Sequence, residues 1–138
     1  MDVNIRNSDR APLPVGFYPH ARKVGDLLFL SGVGPRKKNS STIPGVELNK
    51  SGEIIHYDIE EQCKSVFENV RMILEDCGSS WEKLVDVQVF LTNMKDDFST
   101  FNKVYAQYFK DIQPCRTTVE VNALPTPIAI ELKCVAEV

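Results

Sequence analysis

The clearest periodicity in the chain lies between Ile59 and Cys77. Apolar residues recur at Ile59, Cys63, Val66, Phe67, Val70, Ile73, Leu74 and Cys77, the one-sided stripe of a helix packed on a sheet. Asp58 stands where an N-cap belongs, Glu61 follows three residues later as in a capping box, and Gly78 offers a left-handed stop. A second helix is predicted over Asp97–Phe109, with Phe98, Phe101, Val104, Tyr105, Tyr108 and Phe109 turned inward and Asp111 to Pro114 ending it. Between the helices, Leu84–Leu91 alternates as a strand. Val85, Val87, Val89 and Leu91 fall on one face, and Asp86, Gln88 and Phe90 on the other.

Strands frame this middle. Ala21–Val24, a Gly25-Asp26 turn and the apolar run Leu27–Leu30 predict a hairpin closed by Ser31-Gly32. Val46–Leu48 and Glu53–Tyr57 predict a second hairpin around Asn49–Gly52. Two closing strands, Arg116–Val121 and Ile128–Ala136, are joined by a loop holding Pro125 and Pro127. The order gives an α+β fold in which two helices cover one face of a single sheet. The other face still carries Phe90, Val135 and half of Leu27–Leu30 with no helix left to cover it, which points to self-association.

Composition narrows the possibilities. A chain of 138 residues with 43% hydrophobic and 25% charged residues reads as one domain, with residues 1–10 a flexible extension. The net charge of -3 speaks against a nucleic-acid partner, and Arg36-Lys37-Lys38 reads as a solvated loop. No apolar run approaches a membrane span, and the polar start is no secretory signal, so a cytoplasmic setting is expected. Cys63, Cys77, Cys115 and Cys134 form no CxxC pair, and neither His20 nor His56 has a second good ligand nearby. No metal or other cofactor is expected.

Candidate chemistry concentrates near the C-terminus. Arg116 and Glu131 are charges set into strands that otherwise build a core, where an unpartnered charge costs several kcal/mol. If the last two strands form a hairpin, Glu131 sits opposite Thr118 and diagonal to Arg116. The pair is then either a structural salt bridge or a carboxylate clamp beside an acid–base group, since a guanidinium fork suits bidentate carboxylate binding. Cys115 offers a thiol but has no histidine close in sequence to activate it. Tyr18 and Asn102 are neutral polar candidates.

These residues lie within blocks that resemble the RidA (YjgF) family of enamine/imine deaminases. The blocks are Gly16-Phe17-Tyr18, Gly25 to Gly32, Glu68-Asn69, Val85 to Leu91, Phe101 to Tyr105 with Phe109, Pro114 to Val121, and Ile130-Glu131. The stretches Tyr18–Asp26, Gly45–Leu48 and Asp58–Gln62 look like the branch of 2-aminomuconate deaminases. The resemblance implies a chorismate-mutase-like homotrimer with sheets lining a central barrel and a pocket between subunits. It implies cofactor-free hydrolysis of a 2-amino-2-enoate or its imine to a 2-oxo acid and ammonia. Arg116 would grip the substrate carboxylate and Glu131 would place the water, with Tyr18, Ser31, Asn102 and Cys115 around the substrate. A second carboxylate, as in 2-aminomuconate, would need a second cation, for which Arg36, Lys37 and Lys38 stand nearest, with Arg22 and His20 behind. Two departures bear on the substrate: Val33-Gly34-Pro35-Arg36 replaces a Gln-containing turn, and the Arg36–Tyr57 loop is long. The alternative is a trimeric carboxylate-binding or protein-interaction module without turnover.

Overall fold

In the computed structural model, which describes residues 2–138, eleven short elements follow one another. They are β1 (Ile5–Arg6), β2 (Ala21–Val24), β3 (Leu27–Leu30), β4 (Val46–Leu48), β5 (Ile54–Tyr57), α1 (Ile59–Asp76), a 3-10 turn (Trp81–Lys83), β6 (Leu84–Leu91), α2 (Met94–Phe109), β7 (Cys115–Glu120) and β8 (Ile130–Glu137). Six strands form one mixed sheet in the order β1-β2-β3-β8-β6-β7, and β4-β5 form a separate ribbon. All neighbours in the large sheet are antiparallel except β6 and β7, which run parallel on either side of the α2 crossover.

Both helices lie on one face, as predicted. Asp58 caps α1 through the amides of Glu60 and Glu61, and Gly78 takes φ +94° just beyond its end. The second helix begins three residues before the predicted Asp97, because Asn93 caps it by accepting from the Asp96 amide while Glu120 accepts from the Met94 amide. Its first turn is mostly polar, so hydrophobic periodicity did not reveal it. Asp97 is nevertheless buried and accepts a 2.6 Å hydrogen bond from the Tyr57 hydroxyl, which ties the β4-β5 ribbon to α2.

The predicted alternation of β6 holds from Val87 onward. Leu84, not Val85, takes the next inward place, because the register against β8 shifts between Leu84 and Asp86. The core lies between this face and the helices, built on Leu28, Leu30, Val87, Val89, Leu91, Ile130, Leu132 and Cys134 against Val66, Phe67, Val70, Phe101 and Phe109. The opposite face is open in the single chain and presents Leu27, Phe29 and Val119, each between 37% and 40% exposed.

The two closing strands are not a hairpin. β7 pairs with β6 alone, and β8 lies between β3 and β6, so β6 separates the two. Ile128 and Ala129 are buried yet precede β8, with the Ala129 amide donating to Gln62 Oε1 and its carbonyl accepting from Thr92.

Residues 2–10 are docked instead of forming the expected flexible extension. Ile5–Arg6 pairs with β2, Arg6 donates to the Cys77 carbonyl, and Arg10 pairs with Glu75 and Asp76. Buried His20 completes the attachment: Nδ1 accepts the Ser8 amide at 2.9 Å and Nε2 donates to the Pro12 carbonyl at 2.7 Å. The ring is thereby fixed as the neutral Nε2–H tautomer.

Candidate functional site

Two clusters hold the predicted site residues. The first surrounds the Ser31-Gly32 turn. β3 pairs with β8 as far as Phe29 and Val135, departs, and rejoins at Val33, whose amide and carbonyl both bond Leu132. This detour sets Gly32 against Glu131 so closely that a Cβ at residue 32 would lie 2.8 Å from Glu131 Oε2. Only glycine leaves the carboxylate its position. The cleft beside the turn is lined by Tyr18, Ser31, Gly32 and Arg36 among prolines 12, 14 and 19. Ser31 Oγ donates to the Pro19 carbonyl at 2.7 Å, the Tyr18 hydroxyl accepts from the Val15 amide, and Arg36 Nη2 donates to the Leu13 carbonyl at 2.9 Å.

The backbone that carries Arg36 is held from α1. Ser65 Oγ donates to the Pro35 carbonyl, and Asn69 Nδ2 donates to the carbonyls of Gly34 and Arg36. With Gln62 these residues form a polar stripe at helical spacing on an otherwise apolar, buried face. Our reading of the sequence missed their role, although polar residues repeating on a buried helix face were the available signal. Of the candidates proposed for a second carboxylate, Arg36 and His20 border the cleft with Tyr18 and Ser31. Both ring nitrogens of His20 are engaged within the chain, Arg22 pairs with Asp2, Lys38 donates to the Asp9 carbonyl, and Lys37 borders another groove.

The second cluster centres on Arg116. In register with Val87, it faces the helices, and its Nη1 donates to Asn102 Oδ1 at 2.9 Å. Thr118, on the same face, has a buried hydroxyl oxygen without a hydrogen-bond partner. Cys115, in register with Asp86, belongs to the opposite, open face and is an exposed free thiol. It is therefore not brought alongside Arg116.

Arg116 and Glu131 do not meet in one chain. Glu131 is in register with Phe90 on the open face, whereas Arg116 is in register with Val87 on the helix face. Two strand spacings and three residues separate them, roughly 14 Å between Cα atoms for ordinary strand geometry. The structural salt bridge and the single-chain clamp are both overturned by this topology.

Burial alone raises the Glu131 carboxyl above its ordinary range. The folded chain thus binds this proton more tightly than the unfolded chain, and the ionised form lowers stability at neutral pH. That loss is absent below the ordinary carboxylate range and grows as pH rises through the elevated folded value. Glu131→Gln is therefore expected to melt at a higher temperature than the wild type at pH 7, with the gain narrowing in acid. Thermal scans of both proteins across pH check this, and an equal or lower midpoint at pH 7 would show that a partner stabilises the carboxylate.

Comparison with known proteins sets these clusters in a family. The family model described as "Endoribonuclease L-PSP" matches residues 8–138. A RutC family protein of Pyrococcus abyssi is 38% identical over 129 residues, covering 94% of this chain and 92% of its own. Reactive Intermediate Deaminase A, chloroplastic, of Arabidopsis thaliana is 33% identical over 132 residues, covering 96% of this chain and 64% of its own. The crystal structure of E. coli TdcF with bound serine matches with a TM-score of 0.82 at 29% identity, covering 97% of this chain and 98% of that one. From Ser8 to its last residue, through both clusters, the chain belongs to the RidA family, whose model carries the endoribonuclease L-PSP description.

Proposed function

We propose that this protein is a cofactor-independent, cytosolic enamine/imine deaminase, assembled as a homotrimer whose sites form between copies. The carrying observation is the division of the candidate residues. A guanidinium hydrogen-bonded to Asn102 lies on one face, and a partly buried carboxylate packed against Gly32 lies on the other. Each cluster lacks what the other offers, and the open apolar face supplies a reason for copies to associate. The Arabidopsis relative's name supports deamination, and the serine bound to E. coli TdcF supports a small amino-acid-like ligand. The family model's ribonuclease description suits this chain less well, since its net charge is -3.

In the proposed reaction the substrate carboxylate binds Arg116 of one copy, while Glu131 of another holds a water against the imine carbon. The water oxygen bonds to that carbon as the C=N π pair moves to nitrogen. Glu131 takes one water proton and passes it to that nitrogen, giving a carbinolamine. It then moves the remaining hydroxyl proton to nitrogen as the oxygen lone pair forms C=O, the C–N bond breaks, and ammonia leaves a 2-oxo acid. General acid–base help of this kind contributes about 10²–10⁴-fold.

The finer reading is 2-aminomuconate, favoured by Arg36 in the cleft with Tyr18 and Ser31. Ammonia release should be measured from 2-iminopropanoate and from 2-aminomuconate. The general reading expects turnover of the first, and no release from either substrate would leave a binding module. Arg36→Ala is expected to raise KM for the dicarboxylate well above fivefold while sparing the shorter substrate, since an exposed ion pair is worth under ~1 kcal/mol. Equal effects on both would confine the protein to generic deamination.

A further inference from the structure

The Arg116 guanidinium rests on aromatic rings. Its central carbon lies 4.7 Å from the Tyr105 ring centroid, 5.3 Å from that of Phe101 and 5.9 Å from that of Phe98. Tyr105 is stacked on Phe109, with centroids 4.0 Å apart and planes 9° from parallel, and Phe109 lies 4.7 Å from Trp81. A column of rings thus runs out of the core and ends at the guanidinium. Tyr105, Phe109 and Trp81 are buried, so the column cannot tilt without repacking. Among the described residues Asn102 is the guanidinium's only hydrogen-bond partner, leaving Nε and Nη2 free for a ligand.

We propose that Tyr105 and Phe98 are positioning residues for anion capture, forming an aromatic shelf that orders the Arg116 guanidinium before a carboxylate arrives. An arginine on an edge strand ordinarily samples many rotamers, and that freedom is lost when it grips a ligand. Ring faces attract the cation and restrict its plane, while Asn102 fixes one nitrogen. Ordering thereby precedes binding, and the remaining donors form a flat edge that matches a planar carboxylate. The inference rests on Arg116 as the carboxylate-binding residue of the proposed function.

The test uses the assembled full-length protein with pyruvate as probe, comparing wild type, Tyr105→Phe, Tyr105→Leu and Phe98→Leu. Calorimetry gives the pyruvate Kd, and NMR of the Arg116 Nε–H group reports ring-current shift and side-chain order. Tyr105→Phe keeps the ring and is expected to match wild type. The two leucine variants should lose Arg116 order and weaken pyruvate roughly tenfold, the scale of a desolvated cation–π contact. Should Tyr105→Leu fail to fold, half-buried Phe98 carries the test. A folded Phe98→Leu protein with an unchanged Arg116 signal and a Kd within about twofold of wild type would overturn the shelf. Shelf-dependent pyruvate binding without ammonia release from any imine would uphold the shelf and overturn the deaminase reading.

Discussion

Mixing two inactive variants is expected to restore activity. Arg116→Ala removes the proposed carboxylate-binding group and Glu131→Gln the proposed acid–base group, so each protein alone should be almost inert. If every site takes Arg116 from one copy and Glu131 from the next, random reassembly at equal amounts leaves about one quarter of sites with both residues. Refolding or co-expressing the two variants together should therefore give about a quarter of wild-type ammonia release, against almost none when they are mixed without exchange of chains. The expectation follows from register: Arg116 shares a face with Val87 and Glu131 with Phe90. Failure to recover activity in proven hybrids would overturn the shared site.

The second large effect is expected at Arg116 itself. Arg116→Ala should lower kcat/KM on the order of 10²–10³-fold, the range for truncating a desolvated, hydrogen-bonded charge. Arg116→Lys should recover little, because an ammonium is a point charge that reproduces neither the planar fork nor its stacking on Tyr105. Folding and assembly should survive, since Arg116 makes no ion pair among the described residues and its one hydrogen bond goes to exposed Asn102. Kinetics paired with sedimentation separate the outcomes. Full activity in either variant would remove the carboxylate role, whereas an unfolded protein would return Arg116 to a structural one.

Much of the fold was legible because local signals agreed with the final packing. The α1 stripe, its Asp58 cap and Gly78 lie in one continuous segment, as do the Gly25-Asp26 hairpin and the apolar positions of β6 from Val87 onward. What escaped was set at long range. The insertion of β8 between β3 and β6 is a choice of strand partner that alternation does not encode, and it turned an expected Arg116–Glu131 neighbourhood into two faces. The early start of α2 depends on Glu120, far along the chain, accepting the Met94 amide. Within the candidate site, the sequence grouped Cys115 with Arg116 because adjacency along a strand conceals that neighbours point apart.

The His20 attachment also decides where the chain tolerates alteration. Shortening it to residue 9 or beyond would remove the Ser8 amide and strand a buried imidazole nitrogen, a loss of about 1–3 kcal/mol. The exposed Arg10–Glu75 contact would matter far less. The damage would spread, because the segment clamped by that ring continues through Pro12 to Tyr18 and borders the cleft. A reporter or affinity handle therefore belongs elsewhere. The turn from Asn49 to Gly52, exposed throughout and organised by the Asn49 side chain, is the better place to open the chain.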